Sequence, residues 1–491
     1  MATSKTQGPK ALRSFQNALA TGIARVGGLG LPKLGVAYQQ LSGRVLHNAL
    51  IAHRLTKKFE VPAAKRGNER RERSIRAFLD ANEDIAGGFD YRDLPGDHRR
   101  DFLKSAEVLR GLLKGFRLSY RFAGFPSGES AFSARGETSL FEKLIREDQW
   151  TVTVDALPYA ARIAYNTLAL KRVVRERFAR KSGPCRDKLL RTWYAQWLGT
   201  DQSLKCGMFV FLRMFGYLCE ICVSVVTTVP KDNVKDRVIT KEPTWNMVAQ
   251  LSFAHDLLDC LQRNAGIHLG YWQNVHRALI RSGRATIDFS SASDRNKAAV
   301  CSQLWPRSVW KHVEKLRPHA FEVHENGEVC YVASNMVSPM GTGFTFEIMT
   351  LTLLAYSRVY DARATVFGDD VIIAADQAEH FIRLTTVLGW KVNEEKSFAV
   401  GNFRESCGAF ADLTLDKLLH SYDLTYPADM QAAFVVTNKL CSLLGHAKGE
   451  LYVILRELWW DLLSFLPRHA LCADKECLRG LDDYRAYVPK R

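Results

Sequence analysis

Spacing of apolar and polar residues divides the chain into recognisable segments. DFLKSAEVLRGLLKGF (Asp101 to Phe116) repeats its apolar residues at helical spacing and predicts an amphipathic helix packed by one face. KRGNERRERSIR (Lys65 to Arg76) has helical propensity but reads as a solvated, charged helix face. FPSGESAFSARGETSLFEKL (Phe125 to Leu144) passes from turn residues to a helix start. Two helical patterns follow, LPYAARIAYNTLALKRVVRERFARK and KLLRTWYAQWLG; the first ends in a cluster of basic residues from Lys171 to Lys181 that could line a groove. Met208 to Val229 is almost continuously apolar. Arg213 and Glu220 interrupt it at depths that would be costly in hydrocarbon, so it predicts a buried helix running into a strand.

Further on, the period changes. Alternation around Asp236 to Ile239 predicts a strand with a cationic outer face, and ATIDF (Ala285 to Phe289) a short buried strand with Asp288 at its end. SASDRNKAAV then reads as a helix start with Ser or Asp as cap. SNMVSPMGTGFTFEIMTLTLLAY (Ser334 to Tyr356) is a Ser/Gly loop entering an apolar helix. ATVFGDDVIIAA (Ala364 to Ala375) places β-branched residues on both sides of a Gly-Asp turn, a tight hairpin carrying Asp369 and Asp370 at its tip. A helix, AEHFIRLTTVLGW, a lysine-bearing strand in KVNEEKSFAV and a mostly helical C-terminal segment complete the chain.

At 491 residues, with 47% hydrophobic and 24% charged residues, the chain is globular. A formal charge of +16 spread along the chain favours a nucleic-acid partner over a membrane surface. The 11 scattered cysteines indicate reduced thiols in place of a disulfide framework. Cys219 and Cys222 form a C-x-x-C, but without a second ligand pair they read as buried core residues. The N-terminus lacks the apolar region of a secretory signal. It carries no acidic residue before Glu60, as in a transit peptide or a basic RNA-binding arm.

Candidate chemistry rests on carboxylates and cations. Two adjacent carboxylates repel, so a rigid turn that presents both suits hard divalent ions; the alternative is a solvated turn, for which Asp482-Asp483 provides an internal control. Asp288, at the end of a buried strand, requires a metal or an ion-pair partner. Asp294 lies on the following turn, as a substrate group or a helix cap. Lys231, Lys235, Arg237 and Lys241 could grip a triphosphate or be gatekeepers of an edge strand. Gly341 and Gly343 permit close backbone approach, and Ser338, Thr342 and Thr345 offer hydroxyls to a ligand or to a helix cap. If Asp288, Asp369 and Asp370 meet on neighbouring strands, they could hold two ions roughly 3.5–4 Å apart for in-line phosphoryl transfer.

The strings VPK…DR…EPTWNM, GIHL, ATIDFSSASD, MGTGFTFE, FGDD, KVNEEKSF and FRESCG, in this order from Val229 to Phe410, resemble the replicase catalytic subunit of the single-stranded RNA bacteriophages (the levivirus-like group), an RNA-directed RNA polymerase. FPSGESAFSARGETSLFEKL upstream also resembles a family segment. The resemblance implies an α+β right-hand fold with an antiparallel palm sheet and a helical periphery. It divides the chain into a basic helical region (1–110), fingers with the basic strand (111–250), palm (251–411) and helical thumb (412–491). It also implies Asp288, Asp369 and Asp370 as ligands of two Mg²⁺ ions, replaceable by Mn²⁺. Lys231, Arg237 and Lys241 would hold the triphosphate, and Asp294 would read the ribose 2′-hydroxyl with the loop around Ser338, Gly341 and Thr345. Lys396, preferred to Lys391, would protonate pyrophosphate, and Arg404, Glu405 and Ser406 would grip the primer or product strand. Glu347 agrees with the phage group, where many viral polymerases place an Asn in this loop. The implied partners are single-stranded RNA template, nascent RNA and ribonucleoside triphosphates. Host translation elongation factors and a host RNA-binding ribosomal protein would assist, in the bacterial host cytoplasm and without a membrane. Two alternatives remain: a reverse transcriptase-like palm, disfavoured by the small polar residues Ser291 to Asp294 where an aromatic gate would stand, and a catalytically inactive basic RNA-binding protein.

Overall fold

Asp288 and the Asp-Asp turn, some eighty residues apart in sequence, lie on directly paired strands. Strand Ala285–Ile287 runs antiparallel to Asp370–Ile373, with Ile287 opposite Val371. Asp370–Ile373 in turn pairs antiparallel with Thr365–Phe367, so the three form one small antiparallel sheet. The computed structural model describes residues 7–60, 69–125, 139–140, 142–146, 150–182, 204–231, 235–325, 327–479, 482 and 484–488. Helices dominate, with small parallel, antiparallel and mixed sheets between them, so the chain is α+β. KLLRTWYAQWLG, residues 65–68, most of the loop after Phe125 and Asp483 lie outside the described residues.

A four-stranded sheet has the order Asp236–Lys241, Ser224–Pro230, Ala320–Glu325, Glu328–Ala333, with a parallel pair at its centre and antiparallel pairs outside. The apolar run from Met208 forms helix Leu204–Tyr217 followed by strands Cys219–Ile221 and Ser224–Pro230. Cys219, the first residue of the first of these strands, and Cys222 just beyond it are half-buried and not fully enclosed, Cys219 packing against the edge of the main core. The charged run also does more than face solvent. In helix Glu69–Asp84, Ile75 and Phe78 pack on Val226, Phe321 and Val323 of the four-stranded sheet. Arg70 pairs with Asp236 at 2.8 Å, tying this helix to the basic strand. The segment after Leu157 forms two helices, Leu157–Asn166 and Leu168–Ser182, the second of which carries the basic cluster, and two of its cations sit over rings: Lys171 is 3.7 Å from the Tyr165 centroid and Arg177 is 4.8 Å from that of Trp150.

The largest core runs from Phe102 to Trp390 and supports the three-stranded sheet through helices Thr244–Ala265 and Thr345–Arg358. A second core joins the two ends of the chain. Phe15, Leu19, Ile51 and Leu55 from the N-terminal helices pack with Phe434, Leu440, Leu455 and Leu458 from the C-terminal ones. The division into regions 1–110 and 412–491 separates stretches that in fact share this core. Helix Gln7–Gly27 approaches Gly449–Ser464 so closely that a Cβ on Gly22 would lie 2.5 Å from Leu458. Leu458→Ala should therefore destabilise by about 2–5 kcal/mol, measured by denaturant unfolding. A third cluster, Leu46 and Leu50 on Phe398, Phe403 and Phe410, fastens the N-terminal helix Gly43–Lys57 to the segment after the hairpin. Among the described residues no helix is long and apolar enough to cross a membrane.

Candidate active site

The Gly-Asp turn is tight because Phe367 and Asp370 are register partners, leaving Gly368 and Asp369 between them. Gly368 takes φ +66° while Asp369 does not have positive φ, the pattern of a two-residue turn that begins on glycine. Its N–H donates to Thr350 Oγ1 at 2.9 Å, and a Cβ there would lie 2.6 Å from the Phe346 ring. Helix Thr345–Arg358 thus pins the turn and leaves Asp369 and Asp370 partly open to the cleft.

Asp288 is buried at the end of its strand, and a bulged loop holds it. Thr286 and Phe398 exchange backbone hydrogen bonds, and Phe289 forms an isolated bridge with Val392. Between these two points no continuous strand forms. Residues 393–396 turn instead, with the Lys396 N–H donating to the Asn393 carbonyl at 3.0 Å. This replaces the expected lysine-bearing strand and bends Lys396 back toward the sheet. Asn393 Nδ2 donates to Asp288 Oδ2 at 2.6 Å, and Lys396 Nζ is 3.6 Å from the same oxygen. Lys391 is exposed.

Charge is crowded here. Burial and the neighbouring Asp288 push the Asp369 carboxyl above its ordinary value. Burial, then Glu405, Asp369 and Asp288, push Asp370 well above it. For Lys396, desolvation pulls the ammonium down, but Glu405, Asp288, Asp370 and Asp369 outweigh it and hold it protonated. Burial raises Glu405 to about 7, and its Oε2 is enclosed without a hydrogen-bond partner. Crowded carboxylates with an orphaned oxygen are the environment that bound cations relieve, so the residues fit the metal expectation.

Glu405 is thus a fourth carboxylate of this cluster. Arg404, Glu405 and Ser406, expected on the product strand, are all buried. The Arg404 guanidinium is spent on backbone carbonyls, those of Arg284 at 2.7 Å and Phe403 at 2.8 Å among them. Ser406 Oγ bonds to His276 Nδ1 at 2.9 Å. The Arg404 and Ser406 side chains are thus engaged within the protein. No pattern in FRESCG separates these roles, because all four residues of the strand Phe403–Ser406 are buried.

Asp294 sits in a turn whose Ser291 takes φ +51°, a strained value for a side-chain-bearing residue. The helix begins only at Ala298, so Asp294 is not its cap. Its carboxylate accepts from Ser293 Oγ at 2.9 Å, and burial raises it to about 6 against the pull of Lys231 and Arg295. The Lys231 charge acts on both Asp294 and Asp369, so these three share one region. Arg237 is exposed and Lys241 half-buried on the strand Asp236–Lys241. In the loop, Ser338 is buried, and the Thr345 hydroxyl bonds the Pro339 and Thr342 carbonyls, both at 2.8 Å. Thr345 therefore shapes the loop and does not present its hydroxyl. Gly341, φ +112°, lies against the basic strand, where a Cβ would come 2.1 Å from the Thr240 carbonyl oxygen.

The other acidic features have local explanations. Asp482 accepts from the Tyr484 and Arg485 N–H groups at 2.8 and 3.0 Å and pairs with Arg485, as a turn residue does. Among the described residues the one trio of metal-capable side chains with ligand atoms within 4.8 Å of one another is His255, Asp256 and Asp259. It follows from helical i,i+4 spacing, and Asp256 is occupied by the Ser119 N–H at 2.7 Å.

Asp288, Asp369, Asp370 and Glu405 thus form one acidic cluster on neighbouring strands, with Lys396 among them and the Lys231 charge within reach, an arrangement able to hold cations. The family profile described as RNA replicase, beta-chain, matches residues 39–416, and the chain belongs to that family. The RNA-directed RNA polymerase subunit beta of Qbeta virus (strain MX1) is 34% identical over 199 residues, covering 37% of this chain and 32% of the relative. The RNA-directed RNA polymerase beta chain of Escherichia phage MS2 is 33% identical over 254 residues, 49% of this chain and 45% of the relative. That of Enterobacteria phage GA is 28% identical over 343 residues, 66% and 56%. The matches span between about a third and just over half the length of these relatives. Among solved structures, the RNA-dependent RNA polymerase of a human picobirnavirus aligns with a TM-score of 0.35 at 15% identity, over 53% of this chain and 59% of that one, a likeness too slight to define the fold.

Proposed function

We propose that the chain is an RNA-directed RNA polymerase that copies a phage RNA genome from ribonucleoside triphosphates, with a right-hand arrangement in which the three-stranded antiparallel sheet is the palm. The observation that carries this reading is the convergence of Asp288, Asp369 and Asp370 at the ends of directly paired strands, with Lys396 turned back onto Asp288, in a chain of the replicase beta-chain family.

Asp288, Asp369 and Asp370 would hold Mg²⁺, or Mn²⁺ in its place, and such ions activate an attacking 3′-hydroxyl and neutralise departing pyrophosphate. Lys396, kept protonated by its acidic neighbours, would donate a proton to the leaving group. Lys231, Arg237 and Lys241 offer cations to the triphosphate. Asn393 orients Asp288 from behind. The partners in this reading are template, nascent RNA and nucleotides, with host elongation factors and a ribosomal protein as assisting subunits in the bacterial cytoplasm.

Asp294, half-buried beside Ser293 and within reach of the Lys231 charge, is the group we assign to the ribose. Asp294→Ala should narrow the preference for ribonucleotides over deoxyribonucleotides by about tenfold or more, since losing one charged hydrogen bond is worth roughly 1.5–3 kcal/mol. Competing single-nucleotide additions measure the ratio; an unchanged ratio would assign sugar reading to another group.

A further inference from the structure

A fully buried carboxylate lies outside the acidic cleft, where the basic strand ends. Glu242 is 1% exposed. Its Oε1 accepts from Thr342 Oγ1 at 3.0 Å and its Oε2 from Gln250 Nε2 at 3.1 Å. Gln250 also donates to the Leu316 carbonyl at 2.8 Å and accepts the Gly343 N–H at 2.9 Å. Beside them, the Thr240 N–H donates to the Met340 carbonyl at 2.7 Å, at the point where Gly341 meets Thr240. The strand Asp236–Lys241, the helix Thr244–Ala265 and the Ser/Gly loop are thus fastened at one buried point.

The arrangement is expensive for mere packing. Among the described residues the hydrogen-bond partners of this carboxylate are neutral, and burial raises it above its ordinary value. A charge with no counter-ion in the interior is costly, and an apolar or amide group would fill the place at lower cost. What the link fixes is spacing. Thr240 and Glu242 point inward and are held by the loop, so Lys241 between them is directed to the opposite face. Ser338 to Thr345 is held by the other side of the same link.

We propose that Glu242, acting through Gln250 and Thr342, is a positioning residue that sets the distance between the triphosphate-gripping strand and the loop facing the incoming nucleotide. This rests on the polymerase reading of the cleft. Glu242 does not touch substrate in this account. It acts through the placement of Lys241 and of the loop backbone at Gly341 and Gly343.

The test compares wild type with Glu242→Gln, Thr342→Val and the swap Glu242→Gln/Gln250→Glu on a primed RNA template, with nucleotide KM, kcat and the ribose-to-deoxyribose ratio as readouts. Glu242→Gln leaves one acceptor where the carboxylate offers two: its oxygen can keep Gln250 Nε2, but its NH2 then faces the Thr342 and Thr240 hydroxyls that donate to Oε1 in the wild type. It should raise the nucleotide KM about tenfold to a hundredfold, the scale of a small misplacement, and lower the sugar ratio without lowering the melting temperature. The swap restores a donor opposite an acceptor between positions 242 and 250 but turns a carboxylate oxygen toward the Leu316 carbonyl, which Gln250 Nε2 serves in the wild type, so it should not recover the loss. Thr342→Val cuts the loop side alone and reads the same link if Glu242→Gln does not fold. Hydrogen exchange at the Thr240 and Gly343 amides should quicken in both single variants, and this readout needs no catalysis. Wild-type KM and sugar ratio in a folded Glu242→Gln protein, or unchanged exchange at both amides, would overturn the proposal. A wild-type chain that adds no nucleotide would overturn the polymerase reading instead, while the exchange experiment still decides the coupling.

Discussion

Asp369→Asn is expected to lower nucleotide incorporation by at least ~10³-fold, the scale of losing a principal electrostatic stabiliser of a transition state. The amide keeps the shape of the turn, whose geometry depends on Gly368, Thr350 and Phe346 and not on the carboxylate. The structure adds a second expectation with the opposite sign. Asp369 is raised by burial and by Asp288, so its folded value lies above its unfolded one. Such a group weakens the fold progressively as pH rises through the carboxylate range, because the unfolded chain gives up its proton more readily. Asp369→Asn removes that penalty. In EDTA at neutral pH the variant should melt at or above the wild type. Added Mg²⁺ should stabilise the wild type by mass action and the variant less. Thermal melts with and without Mg²⁺, beside an incorporation assay, check both halves. A variant that incorporates at the wild-type rate would remove Asp369 from the metal set, and equal stabilisation by Mg²⁺ would do the same.

The second large effect is at Lys396. Removal of a general acid typically costs 10²–10⁴-fold, and Lys396→Ala should lose about that much in the chemical step. Lys396→Arg separates two roles. Arginine keeps the positive charge beside Asp288 and Glu405 but surrenders its proton far less readily, so a variant that folds and binds nucleotide yet stays slow would identify proton donation. Recovery to near wild-type speed would reduce Lys396 to a counter-ion. Lys391, which is exposed, should tolerate alanine with little change. Because the surrounding carboxylates hold Lys396 protonated, its deprotonation should not limit the wild-type rate below the ordinary lysine value. Single-turnover rates across alkaline pH measure this.

Much of the site was legible because period and turn chemistry are local. β-branched runs around Gly368 predict a hairpin whatever surrounds it, and a strand ending in Asp288 is visible in ATIDF. What sequence could not show was which side chains a distant element buries. Glu405 follows Arg404 in a string with no periodic signal, and only the packing of Phe403–Ser406 beside the hairpin makes it a fourth carboxylate. Lys396 was expected on a strand. The turn from Asn393 interrupts that strand, and the interruption is what returns the ammonium to Asp288. Thr345 and Ser338 read equally as ligand hydroxyls or as helix-cap groups, and both are enclosed, because the loop folds onto Thr240 at Gly341. The shared core of the two chain ends was invisible for the same reason: amphipathic helices declare an apolar face but not the partner that covers it.

The measurement that tests the central claim most directly is single-nucleotide extension of a primed RNA template by the purified chain, with Mg²⁺, and with or without host extract. The account predicts addition of the complementary ribonucleotide alone, abolished by EDTA and by Asp369→Asn. Template-independent addition, addition that survives Asp369→Asn, or no addition even with host extract would contradict it.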